Sequence, residues 1–309
     1  MFTKFWDKLA EGLAGRWTAQ ALGPALAFWC GSLLAWASHP SHDWQQLADW
    51  LIALDHPAAY IALAVGGLFL LTASSEAMNW LQLPVLRFLE GYWPGPLRNL
   101  RFKLAHRFEK RIQQKEERWQ QLAGLDPNKR TAIQQSDYVH LDAELACYPV
   151  DSRYLMPTKL GNLLRSAEQY PRVRYGLAIS VCWPRLWLLL PEETQTTLAE
   201  ARQKLDGATR FLVWSLLFAV WTAWAWWAIL VAIVGAAAAY WGALTAAGIY
   251  GDLLRAAFDL HRYALYKQMR WPLPSTPADE TTCGRQLGEY LFRGTGSDDL
   301  KLDAPAAKK

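Results

Sequence analysis

FLVWSLLFAVWTAWAWWAILVAIVGAAAAYWGALTAAGIYG, Phe211 to Gly251, holds 41 residues and no Asp, Glu, Lys, Arg or His. A hydrocarbon core of roughly 30 Å takes about 20 apolar residues as a helix. One helix of this whole stretch would reach about 61 Å at about 1.5 Å per residue, about twice the distance needed. The stretch therefore reads as a hairpin crossing a membrane twice, about Ala208–Trp227 and then Ile229–Gly251. Its halves differ. The first carries Trp214, Trp221, Trp224, Trp226 and Trp227; the second is rich in small residues.

Working outward, Ala21–Ser38 and Ala58–Trp80 are two further apolar segments, with Pro24 and the Gly66-Gly67 pair inside them. Between them, residues 39–57 carry Asp43, Asp49 and Asp55 but no Lys or Arg. Trp44, Leu47, Trp50, Leu51 and Leu54 are spaced for a short interfacial helix there. The 32 Lys and Arg all fall in the other polar segments. By the positive-inside bias, these segments face the cytoplasm and the 39–57 loop faces outward. Four spans satisfy this pattern.

The sequence predicts an all-α integral membrane protein with four transmembrane helices. A mainly helical cytoplasmic domain separates spans two and three. The expected organisation is an amphipathic lead, 1–20, then a first hairpin, 21–80, with outer loop 39–57. The cytoplasmic domain, 81–207, the second hairpin, 208–251, and a partly disordered tail, 252–309, follow. Phe2, Phe5, Trp6, Leu9, Leu13 and Trp17 give the lead an apolar face opposite Lys4, Lys8 and Arg16. It reads either as a helix on the membrane surface or as a plain flank. With Asp7 and Glu11, it is not read as a cleavable signal. The expected location is a bacterial inner membrane, with both termini inside.

The 18 Trp suit a membrane–water interface, where the ring is buried and the N–H stays wet. The net charge of +4 is mild. Cys30, Cys147, Cys182 and Cys283 form no CxxC pair and imply neither a disulfide framework nor zinc.

The cytoplasmic segment carries the candidate chemistry. Leu97, Leu100, Leu104, Phe108, Ile112 and Trp119 mark one face of a helix over Pro96–Gly124. Arg98, Arg101, Lys103, Arg107, Lys110, Arg111, Lys115 and Arg118 decorate the rest, against Glu109, Glu116 and Glu117. Such a face suits lipid headgroups, a nucleotide or a nucleic-acid backbone. It also suits plain positive-inside charge on a solvated helix. Further on, Thr158 caps a predicted helix, Lys159 to about Gln169, ended by Tyr170-Pro171. Trp183-Pro184 is expected to open the next helix, with Pro184 in its first turn. A long helix is predicted from Pro191 through Gly207 into the third span, linking the domain to the membrane. The candidate anion ligands are Arg101, Arg107, Lys110, Arg111, Lys115, Arg165, Arg172, Arg174 and Arg185.

Pro157-Thr158-Lys159-Leu160-Gly161-Asn162, Arg165, Glu168, Tyr175-Gly176, Trp183-Pro184-Arg185-Leu186 and Leu190-Pro191 resemble a pattern of bacterial multi-pass membrane proteins of unassigned function. This resemblance implies no activity. The layout is similar to the membrane-channel effectors of anti-phage defence systems of the Hailong type. There, a spanning bundle joins a cytoplasmic domain that senses a nucleotide or oligonucleotide signal.

In the fourth span, Ala239, Ala243, Ala247 and Gly251 recur every four residues beside the row Ala238, Gly242 and Ala246. Such rows let helices approach closely, within one bundle or at a subunit interface or pore. Glu76, near Ser74, Ser75 and Asn79, is a candidate for ion or gating chemistry at the inner end of span two. His39, His42, Asp43, Asp55 and His56 match no dedicated metal motif, and no metal or other cofactor is expected. No GxSxG, HExxH or diagnostically spaced carboxylate pair is present, so an enzyme is not expected. The reading is a homo-oligomeric inner-membrane channel or pore-forming effector, gated by an anionic nucleotide or nucleic-acid ligand. The alternative is a non-catalytic, membrane-anchored assembly protein docking a cytoplasmic partner protein.

Overall fold

The computed structural model describes residues 18–39, 41–42, 45, 49, 52–53 and 56–294, and among them every regular element is a helix. The α-helices are α1 (Thr18–Ala37), α2 (Pro57–Glu90), α3 (Arg98–Ala123), α4 (Ala132–Leu145), α5 (Lys159–Tyr175), α6 (Ile179–Trp187), α7 (Glu192–Phe218), α8 (Trp227–Gln268) and α9 (Pro277–Arg293). The N-terminal lead up to Trp17 lies outside the described residues. So do the loop residues Asp43, Trp44, Leu47, Trp50, Leu51, Leu54 and Asp55, and the tail beyond Gly294.

Helices α2 and α8 are long and apolar enough to cross a membrane. Only 6 % and 22 % of their most apolar 18-residue windows is buried, so these side chains face outward rather than into a core. Ile61, Phe69, Val234 and Trp241 are examples.

The chain divides into two compact units. The first takes the described residues of Met1–Leu86 together with Asp206–Ala243. Its small core joins Ala25, Met78 and Trp214, and Phe218, Ala228 and Ala232, with Phe28 packed against both groups. Phe28 lies 4.8 Å from Trp214 and meets Phe218 edge-on. Gly31 is needed beneath Phe218, where an added Cβ would come within 2.8 Å of the ring. Hydroxyls in these apolar helices bond back to their own backbone: Ser32 to Phe28, Thr72 to Leu68 and Ser215 to Phe211. That local pairing removes the cost of an unsatisfied polar group in apolar surroundings.

The second unit takes Arg87–Leu205 together with the described residues of Leu244–Lys309. Its core is aromatic and aliphatic: Leu177, Leu186, Leu198, Phe258, Leu265, Tyr266, Trp271 and Leu287 are all nearly inaccessible. Helices α3 and α4 form a hairpin. Thr131 and Gln134 form a capping box at the start of α4, and Trp119 stacks on Tyr138 at 5.8 Å.

Two local expectations need correction. Pro171 does not end α5. Leu160, Leu164, Ala167, Pro171 and Tyr175 form one buried stripe that continues past it, so burial outweighs the hydrogen bond lost at proline. The helix ends instead at Gly176, whose φ of +74° suits glycine and whose α-carbon faces the Thr281 carbonyl too closely for any Cβ. Pro184 lies well inside α6, which already begins at Ile179. The segment after Pro272 forms the helix α9. Thr276 caps α9 by accepting from the Asp279 N–H, Pro277 follows it, and Asp279 and Glu280 fill the first turn. These are helix-start signals that composition alone obscures. The predicted long helix after Pro191 runs unbroken from Glu192 to Phe218, with Gly207 inside it.

Candidate functional site

In the second unit, five helices line a cleft of about 260 Å³. Glu90 arrives from α2, Leu164 and Glu168 from α5, Ser180 and Trp183 from α6, Arg202 from α7, and Tyr250 and Leu254 from α8. The Pro157–Asn162 stretch explains how the local chain builds it. Thr158 caps α5 by accepting from the Gly161 N–H at 3.0 Å. Fully buried Asn162 accepts from the Met156 N–H at 2.8 Å and donates to the carbonyls of Met156 and Thr158, both at 2.8 Å. One side-chain amide thus satisfies the backbone turn entering the helix. Gly161 lets the Glu90 carbonyl rest directly on α5, and a Cβ there has no room.

Three charged groups share the cleft. Glu168 pairs with Arg165 at 3.1 Å. Arg202 lies 5.7 Å from the Tyr250 ring centre. The Glu90 carboxyl is pushed up to about 7, first by burial and then by the neighbouring Glu168. Arg202, Arg87 and Arg165 oppose the rise without cancelling it. A carboxyl of this kind exchanges its proton near neutral pH.

A second network ties α5, α8 and α9 together. Asp259 accepts from the hydroxyls of Tyr170 at 3.2 Å and Tyr175 at 2.6 Å. Arg262 pairs with buried Glu280 at 2.6 Å and lies 4.2 Å from the Tyr175 ring centre. Burial, followed by the hydrogen bond to Asp259, holds the Tyr175 phenol well above its ordinary range. This arrangement braces the three helices against one another.

The predicted anion ligands do not form one site. Arg107, Lys110 and Arg111 stand exposed on α3, with no carboxylate paired to them among the described residues. Arg101 is half-buried on the same helix. Lys115 is engaged by Glu144 of α4. Arg165 and Arg172 both approach Tyr154, at 5.3 and 5.9 Å from its ring centre, and Arg172 also donates to the Tyr154 hydroxyl. Arg174 is exposed near the end of α5, and Arg185 donates to the Val181 carbonyl of its own helix.

In the first unit, Glu76 accepts from Asn79 at 3.1 Å, and Asn79 accepts from Arg210 at 2.9 Å. The small-residue rows of α8 are used unequally. Ala239, Ala243, Ala246, Ala247 and Gly251 are buried within the chain, whereas Gly242 is exposed. Gly251 meets Ala167 of α5, where an added Cβ would come to 3.1 Å. On the predicted outer side, His42 stacks on Trp36 at 4.3 Å, and no metal-binding cluster occurs among the described residues.

Sequence reasoning missed Glu90, Ser180 and Tyr250. Glu90 sits ten residues beyond the predicted end of span two, on the same unbroken helix. Gly91, with φ of +100°, was the available signal: a glycine just after a carboxylate that closes an apolar helix. Comparison with protein-family models, curated proteins and solved structures gives no match.

Proposed function

We propose that the chain is a four-span, homo-oligomeric protein of a bacterial inner membrane, working as a channel or pore-forming effector. In this reading α1, the first part of α2 and the Phe211–Gly251 hairpin are the spans. The basic α3 face receives an anionic nucleotide or nucleic-acid ligand on the cytoplasmic side. The carrying observation is the set Arg107, Lys110 and Arg111, exposed together on α3 while neighbouring Lys115 is neutralised by Glu144. Helices α2 and α8, which bare their apolar side chains, support the membrane assignment. The unbroken α7 supports transmission of a bound state along the chain toward the spans. In this reading the layout is similar to that of anti-phage membrane effectors.

The test is conductance of the purified full-length protein in liposomes, with a membrane-potential dye in cells during phage infection. Ligand-dependent ion flux supports the reading. Unchanged potential in every condition, together with a stable heteromeric partner on purification, makes the protein a docking subunit instead.

A further inference from the structure

Glu90 closes α2, outside its apolar part, and the chain around it is held on two sides. Gly91 turns with φ of +100°, its α-carbon packed against the Pro157 ring, and the Glu90 carbonyl rests on the α-carbon of Gly161. The end of α2 is therefore seated in the Pro157–Asn162 turn. Glu90 lines the cleft together with Glu168 and Arg202.

Three physical effects disfavour a negative charge there. The site is largely desolvated. A second carboxylate faces it from α5. Finally, the C-terminus of a helix carries partial negative charge, which repels an anion in the last turn. The charged groups around it are Arg87 on its own helix, Glu168 and Arg165 on α5, and Arg202 on α7, with the phenols of Tyr92 and Tyr250 nearby. Helix α6 contributes only uncharged side chains to the cleft, among them Ser180 and Trp183.

We propose that Glu90, set beside the like charge of Glu168, is a proton-binding group that sets how firmly the end of α2 is seated on α5. With Glu90 protonated, the cleft holds one carboxylate, already answered by Arg165. With Glu90 ionised, it holds two, at the end of a helix whose backbone cannot shift toward Gly161. The seat loosens as the second charge appears. This device is independent of the channel reading and holds equally for a docking protein.

The sign follows from linkage. A carboxyl held near 7 in the folded chain and near its ordinary value of 4.5 when unfolded binds its proton more tightly in the folded state. Its contribution to stability is full below the unfolded value and is lost as pH rises from 4.5 to about 7.

The experiment uses the full-length protein in lipid nanodiscs between pH 5.5 and 8. It reads thermal unfolding together with hydrogen exchange of the 157–164 segment, corrected for intrinsic rates. The wild type should melt lower and exchange several-fold faster at the alkaline end. Glu90→Gln, a neutral mimic of the protonated acid, should hold the acid-side values throughout. Glu168→Gln should keep the transition but move its midpoint acidward by about one pH unit, as removal of a like charge requires. A wild type without this pH dependence, a Glu90→Gln protein that retains it, or a Glu168→Gln protein with an unmoved midpoint overturns the proposal. Should Glu90→Gln fail to fold, the Glu168→Gln midpoint decides alone.

Discussion

The backbone carbonyl of Glu90 lies against the α-carbon of Gly161, with no space between them for a side chain. The end of one helix thus uses a glycine of another as its seat, and Gly161→Ala is the most direct way to disturb it. The added methyl meets backbone rather than a movable side chain. Overpacking of this kind costs about 2–3 kcal/mol. Chemical unfolding in micelles should show a loss of that size, with helix content retained below the transition.

Arg262 and Glu280 form a buried pair, with side chains 15 % and 8 % accessible. Removing one partner leaves the other charge buried without its counterion. Arg262→Met should therefore lower stability by about 3–5 kcal/mol. The double replacement Arg262→Met with Glu280→Met should recover most of that loss, because no charge is then stranded. A double-mutant cycle read by the same unfolding assay measures the coupling.

Glutamate at Arg107, Lys110 and Arg111 should leave the melting temperature unchanged, because these exposed side chains make no ion pair among the described residues. Binding to an anionic ligand should fall by about tenfold or more, as expected when positive potential is reversed over one face. Titration with single-stranded oligonucleotides, nucleotides and anionic-lipid vesicles separates the ligand sources. Lys115→Glu is the contrasting control. It breaks the contact with Glu144 and should cost up to about 1 kcal/mol of stability, the scale of a partly exposed pair.

Gly242, like Ala238, is an exposed member of the small-residue rows, and among the described residues its added Cβ would meet just the Ala208 Cβ, at 3.9 Å. Gly242→Leu should leave the monomer folded. If copies of the chain associate along this row, native mass spectrometry should show the oligomer lost. Ala243→Leu should instead unfold the monomer, since Ala243 is fully buried within the chain.

The helical nature of the chain was legible from periodicity, caps and the long apolar runs. So was the unbroken passage from Glu192 to Phe218, since Gly207 alone does not break a helix supported on both sides. Proline was the misleading signal. Pro171 and Pro184 read as boundaries because each removes a backbone donor, yet both lie inside helices. Whether that loss ends a helix depends on burial beyond it, which is non-local information. Helix α9 was obscured for a related reason. Its Thr276-Pro277 start is a local signal, but its buried Leu287 and Gly288 gain meaning only against the core they meet.

By itself, the sequence determined where the apolar runs lie, two of them in helices long enough to cross a membrane, and where positive charge accumulates. Both properties are additive along the chain and need no partner. The tertiary structure decided which charges stand alone and which are answered. It separated exposed Arg107 from paired Lys115, and buried Ala243 from exposed Gly242. It also brought Glu90 beside Glu168, 78 positions away in the chain. Desolvation and like-charge proximity depend on distance in space, and no spacing along the sequence carries it.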